Sequence, residues 1–264
     1  MSQALADAYY RQYVESADTH WWFRGRERVL QSVVEPLVRV PAGALIVDVG
    51  SGPGGPTRAL FPDGRILAVD VSALVLQAAQ GPDHCAVGDA TALPFRPASV
   101  RVVCAFDVLE HLEHHVEALQ HWRQVLEPGG WLVLTVPAYA FLWSAHDESN
   151  RHYRRYDART LRQLLAASGF TTVRLTYFNS LLLPGVALVR WGERLVRRPS
   201  ARSSIPEPAC ELDCQLRFPR WIERCCEGAL RAEARWLKHR SLPAGVSICA
   251  VARVSRAPAS GRAV

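Results

Sequence analysis

The sequence predicts a doubly wound α/β protein, and three observations predict it. Short apolar runs recur at 44–50, 64–71, 84–90, 100–108 and 130–137, rich in β-branched residues and nearly continuous in hydrophobicity. Such runs suit strands covered on both faces, as in a parallel sheet. Helix-like stretches separate them, and the first run leads directly into a glycine-rich turn, "VDVGSGPGG". A strand, a glycine turn and a helix in alternation form the unit of an open α/β sheet.

The elements follow in order. Residues 1–43 are helical in pattern and carry the aromatic-basic run "HWWFRGRER", so they are expected to form an N-terminal cap. Between the fourth and fifth strands, Val116, Leu119, Val125 and Leu126 make one apolar helix face, and Pro128-Gly129-Gly130 stops it. Asp157 can cap a helix bearing Leu161, Leu164 and Leu165 that ends at Gly169. The strand "TTVRLTYF" follows, and "VSICAVARV" at 246–254 is the last strand, completing a core of 44–180 plus 246–254. The segment 181–245 is expected as a basic helical insertion, and 255–264 as a flexible tail. In the insertion's first helix, Leu188, Trp191 and Leu195 share one face, while Arg190, Arg194, Arg197 and Arg198 lie largely on another. After a Pro/Ser-rich linker at 199–208, Phe218, Ile222, Cys225, Ala229 and Trp236 recur at helical spacing.

Composition narrows the class. A chain of 264 residues, 49% hydrophobic and 21% charged, buries a real core, which excludes a disordered or fibrous protein. The net charge of +6 is unevenly spread. Residues 1–180 hold 16 basic and 18 acidic side chains, a net of −2; residues 181–264 hold 15 and 7, a net of +8. No signal-peptide h-region is visible, and the longest apolar run, Leu181–Val189, falls far short of the roughly 20 residues of a spanning helix. Seven cysteines at irregular spacing point to a reduced, cytoplasmic protein. Cys210, Cys214, Cys225 and Cys226 fit no common zinc pattern and are read as buried free thiols.

The glycine turn is the first candidate site. Gly50, Gly52 and Gly54 let the backbone turn tightly and approach a ligand. Asp70 ends the second strand, where a carboxylate can accept ribose hydroxyls, and Asp89 ends the third, where it can accept from an adenine amino group. The glycine pattern alone equally suits a dinucleotide-binding enzyme.

Five pieces, "VDVGSGPGG", "AVDVS", "GDATALPF", "FDVLEHLEH" and "LEPGGWLVLTVP", make the chain resemble the class I S-adenosylmethionine-dependent methyltransferases over roughly 44–180 and 246–254. The resemblance implies strand order 3-2-1-4-5-7-6 with strand 7 antiparallel. It implies S-adenosylmethionine as cofactor, lined by Gly50, Ser51, Gly52 and Gly54, with Asp48 near the methionine amino group. Asp70 and Val71 would flank ribose and adenine, and Asp89 with Ala90 the adenine edge. Trp21, Trp22 and Phe23 can form a lid, with Arg24 pairing the cofactor's carboxylate, or can simply pack on the sheet.

Methyl transfer from a sulfonium is an in-line displacement, so the protein must align the acceptor and have its proton removed. The candidates for that base are His111, His146 and His152. A narrower similarity, to ubiquinone-pathway O-methyltransferases and small-RNA 3′-terminal ribose methyltransferases, implies a divalent ion held by Asp107, Glu110, His111 and His152. That mixed donor set would suit Mn, Fe, Co or Zn better than Mg. Asp107 stands where glutamate is more usual, which shortens its reach. Arg154 and Arg155 read as a solvated face.

The expected activity is methyl transfer, most readily to oxygen, on a small-molecule or lipid/glycan-linked acceptor in a biosynthetic pathway. RNA ribose 2′-O-methylation is the alternative in the same chemistry, disfavoured by the acidic balance of residues 1–180. A nicotinamide oxidoreductase is disfavoured because no second catalytic domain is visible. A different class is a membrane-surface or partner-docking protein with a vestigial cofactor site. Residues 186–198 would then rest peripherally on the membrane's inner face, or else cover the core with their apolar side.

Overall fold

Each apolar run becomes a strand of one sheet: β1 (Leu45–Val49), β2 (Arg65–Asp70), β3 (His84–Val87), β4 (Val100–Phe106), β5 (Leu126–Pro137), β6 (Phe170–Phe178) and β7 (Ser247–Val254). The computed structural model describes residues 20–79, 81–196 and 219–255. The first 19 residues of the expected N-terminal cap, the expected linker at 199–208, Phe218, Arg197, Arg198, Cys210, Cys214 and the tail after Ser255 lie outside those residues, as do the side chains of Arg194 and Leu195.

The strands line up as β3-β2-β1-β4-β5-β7-β6, the expected order. β1 pairs in parallel with β2 and β4, and β7 runs antiparallel to both β5 and β6. Alternate residues of β1 show why its hydrophobicity is unbroken. Val47 and Val49 enter one core with Leu119, Trp122 and Leu161, whereas Ile46 enters a second core with Val29, Leu30 and Leu230. A sheet covered on both faces has no polar side to advertise.

The helices are α1 (Trp21–Val34), α2 (Pro56–Leu60), α3 (Ala73–Gln77), α4 (His115–Val125), α5 (Ala145–Ser149), α6 (Ala158–Ala167), α7 (Leu183–Val196) and α8 (Arg220–Leu237). The Asp157 carboxylate accepts from the Thr160 amide at 2.8 Å, capping α6, whose Leu161 and Leu165 are buried. In α4 the buried face is Ala118, Leu119, Trp122 and Val125. Val116 is only half-buried and Leu126 already begins β5, so the buried face runs through Ala118 and Trp122 and not through the expected Val116 and Leu126.

Two expectations for the insertion are corrected. α8 buries Leu230, Glu233, Ala234 and Leu237, while Trp236 stays exposed. Its partner is α1: a Cβ on Gly25 would meet Leu230 Cδ1 at 2.1 Å, so only glycine permits the close approach. Nor does α7 cover the core with its expected apolar side, because Leu188 and Trp191 point to solvent. The thiols divide as well: Cys104 and Cys249 are buried, Cys226 is half-buried, and Cys85 and Cys225 are exposed. Among the described residues, no helix is long and apolar enough to cross a membrane.

Candidate active site

At the carboxyl end of β1 the chain turns through Gly50, whose φ is +59° and whose absent Cβ would lie 2.6 Å from Val108 Cγ2. The turn is pinned from the neighbouring strand. The Gly50 amide donates to Val69 O at 2.7 Å, and the Gly52 amide donates to Asp70 Oδ2 at 3.1 Å. The other Asp70 oxygen accepts from the Ser72 amide at 2.9 Å. Asp70 therefore fixes the turn while its carboxylate stays at the strand end. Asp89 accepts from the Thr91 amide at 2.7 Å and hydroxyl at 2.8 Å, which sets its own loop. Val71 is exposed, and buried Ala90 is held through its carbonyl by the Trp122 indole at 2.7 Å.

Opposite charges meet beneath the turn. Asp48 is buried, and that burial pushes its pKa up to about 7, with the Arg26 guanidinium working in the other direction. Arg26 is itself buried, donates to Asp107 Oδ2 at 2.6 Å and lies over the Trp22 ring at 4.7 Å. Neither Arg26 nor its role was singled out in the sequence, where Arg24 looked equivalent. Arg24 points the other way, to Glu227 on α8 at 3.7 Å, and is no part of this group. Trp21 is buried in the core below α1, and Trp22 packs half-buried against that core.

On the far side of β4 a second group assembles. Asp107 (φ +58°) and Tyr139 (φ +57°) end their strands in the left-handed region, an expensive conformation for residues with a Cβ and one that recurs at functional sites. After Asp107 the 3-10 turn Leu109–His111 delivers Glu110 and His111. After β5 the loop through α5 returns with His146 and His152. The His111 and His152 ring centroids are 4.5 Å apart, and His146 lies 6.1 Å from His152. The three histidines do come together.

A further acid organises them. Asp147 is fully buried and accepts from the Ser144 amide at 2.9 Å and from Arg155 Nε at 2.7 Å and Nη2 at 3.0 Å. It also contacts His152 Nδ1 at 2.9 Å. Burial alone would raise its pKa, but the His152 and Arg155 bonds outweigh burial and hold it below the ordinary carboxylate range. An ionised carboxylate only accepts, so His152 donates from Nδ1, and Nε2 is the ring nitrogen outside this contact. Arg155 is thus a buried clamp and not the solvated residue expected. Arg154 does lie nearer the surface and donates to Glu113 O at 2.8 Å.

Among the described residues, Glu110, His111 and His152 are a set whose ligand atoms all lie within 4.8 Å of one another. Glu110 Oε2 is buried without a hydrogen-bond partner. Burial first, and the Asp107 charge second, push the Glu110 pKa well above the carboxylate range. Desolvation, then His152, lower that of His111, although much of the His111 side chain remains open to solvent. Asp107 is the exception to the expected ligand set. Its oxygens are engaged by Arg26 and by the Thr135 hydroxyl at 2.9 Å, which draws it towards the cofactor side.

The family described as "Methyltransferase domain" matches residues 47–134. A ubiquinone/menaquinone biosynthesis C-methyltransferase, UbiE of Bordetella avium, is 30% identical over 65% of this chain and 79% of its own length. The chain belongs to the class I S-adenosylmethionine-dependent methyltransferase family. The methyltransferase is also 31% identical to a malonyl-[acyl-carrier protein] O-methyltransferase of Enterobacter lignolyticus, over 47% of this chain and 53% of that one. It thus spans about half the length of that relative. A Haloferax volcanii methyltransferase in complex with the Trm112 activator shares the fold, with a TM-score of 0.60 at 19% identity over 96% of each chain.

Proposed function

We propose that this methyltransferase methylates an oxygen of a small-molecule or lipid/glycan-linked acceptor in a biosynthetic pathway, with His152 as the general base. The observation that carries the reading is the buried Asp147–His152 pair, which holds one imidazole in the tautomer that can accept a proton. In this scheme residues 44–180 and 246–254 form the catalytic core, and 1–43 and 181–245 are additions to it.

S-adenosylmethionine supplies a methyl group on a sulfonium that departs as a neutral thioether. The residues present suit its methionine end, which bears both charges. Asp48 offers a carboxylate to the ammonium and Arg26, which also holds Asp107, a guanidinium to the carboxylate, and both are largely shielded from water. Gly50, Ser51, Gly52 and Gly54 give backbone access, and Asp70, Val71, Asp89 and Ala90 suit the nucleoside. On the acceptor side, His152 Nε2 takes the hydroxyl proton as the oxygen attacks the methyl carbon. The carbon–sulfur bond breaks and its electron pair stays on sulfur. Products are the methyl ether or ester, S-adenosylhomocysteine and a proton held on His152, where the Asp147 carboxylate stabilises it.

A second reading rests on Glu110. A buried, unpartnered carboxylate oxygen facing two imidazoles suits a divalent ion, with Glu110, His111 and His152 holding it. Such an ion supplies Lewis acidity to the acceptor hydroxyl.

Transfer of a labelled methyl group to fractionated acceptors, with and without chelator, tests both. Label in a methyl ether or ester, insensitive to chelation and lost in His152→Ala, is the expected result. Chelator loss restored by Mn or Zn would favour the ion, and label on nitrogen or carbon would overturn O-methylation.

A further inference from the structure

We propose that the outward apolar face of α7, with the exposed tryptophans of the same insertion, docks this methyltransferase on an anionic membrane surface. An amphipathic helix on a globular protein normally buries its apolar stripe. Here an apolar stripe is left outside. Leu188, Val189 and Trp191 are 65%, 59% and 61% exposed, whereas Val186, Ala187 and Arg190 on the opposite side are half-buried.

The tryptophans repeat the pattern. Of the eight in the chain, three are exposed, and all three (Trp191, Trp221 and Trp236) belong to the insertion. Leu181, 62% exposed, donates its amide to Glu233 at 2.8 Å, one turn before Trp236, so the start of α7 lies beside the end of α8. Indoles have an apolar body and a polar N–H, and they favour the boundary between acyl chains and headgroups.

Charge selects the occupant. Residues 181–264 carry +8 against −2 for the rest, and Arg220, Arg224, Arg235 and Lys238 are exposed on α8 and at its end. A second copy of the chain would bring the same excess against itself. Nucleic acid would match the charge but would leave Leu188 and Val189 against phosphates. Anionic lipid matches both, because headgroups meet the cations and the acyl boundary accepts the aliphatic face. The surface also borders the acceptor side. α7 contacts the 3-10 turn Ala140–Leu142 that follows β5, where Phe141 is exposed. Only the corollary, that a lipid-borne acceptor would enter there, rests on the methyl-transfer reading.

Co-sedimentation of the full chain with phosphatidylcholine vesicles, alone or mixed with phosphatidylglycerol, tests docking without turnover. The expected result is binding to mixed vesicles that salt weakens, cut about tenfold or more in the Leu188→Ser/Trp191→Ser double variant. S-adenosylhomocysteine binding and melting temperature should stay unchanged in that variant, which shows that it folds. Equal binding to both vesicle types would overturn the proposal, as would a variant that sediments like the parent. A dimer or an RNA complex that the double variant dissolves would overturn it as well. Loss of S-adenosylhomocysteine binding in the parent would instead count against the cofactor site and leave docking standing.

Discussion

The glycine turn and the histidine cluster, the proposed cofactor and acceptor halves of the candidate site, are built on different principles. The cofactor half is made by the backbone: one glycine turn, pinned by Val69 and Asp70 of the adjacent strand. The acceptor half is made by side chains that reach one another through the fold, with Asp147, His152 and Arg155 locked below Glu110 and His111. Backbone sites tolerate little change in shape. Side-chain sites tolerate little change in protonation.

The largest expected effect breaks the acceptor half alone. Asp147→Asn should leave His152 free to adopt the wrong tautomer and cost roughly 10²–10⁴ in kcat. S-adenosylhomocysteine affinity, measured by calorimetry, should not move. If both parameters fall together, the two halves are not separable. Gly50→Ala should do the converse. It places a Cβ at φ +59° and 2.6 Å from Val108, a combined cost of about 2–4 kcal/mol, visible in cofactor affinity and in thermal unfolding.

Arg26→Ala comes next. Losing the proposed charge-assisted contact to the cofactor's carboxylate should raise the S-adenosylhomocysteine Kd by roughly ten- to a hundredfold, with Arg24→Ala as the silent control. An equal effect of both would mean that Arg26 acts only through the packing of α1. The smallest effect is a pH dependence. Burial raises Asp48 to about 7 in the free protein, so its charged form is the minor one below that pH. An ammonium partner requires the charged form. Cofactor affinity should therefore weaken as pH falls through about 7, by at most tenfold per unit, and stay flat above it. Asp48→Asn should abolish that slope.

The same division governs what could be read from the sequence. The strands were legible because a parallel sheet writes its burial as unbroken apolar runs, and the glycine turn because its requirements are local. Arg26 was not, since two arginines two positions apart on a helix differ only in which way they face. Glu227 draws Arg24 and Arg28 to α8 and leaves Arg26 directed inward, a choice made by an element about 200 residues away. The orientation of α7 was hidden for a similar reason. Its periodicity shows that two faces differ but not which one meets the protein. Asp147 did leave a local trace: Ser144 three residues before it forms a capping box at the start of α5, a spacing that marks a fixed carboxylate near His152.

The chain of contacts from α1 to α7 carries one more consequence. α1 brings Arg26 to the cofactor half and is joined to α8 by the Gly25–Leu230 approach and by Arg28–Glu227. α8 in turn grips Leu181, just before α7, through Glu233. The element that presents Arg26 and the element that carries the proposed docking face are therefore linked like two doors on a single rod. On the proposed function, a shift of α1 that releases the spent thioether would be transmitted through α8 to that outer face. Such a linkage predicts ordered product-inhibition patterns in place of independent exchange of the two substrates.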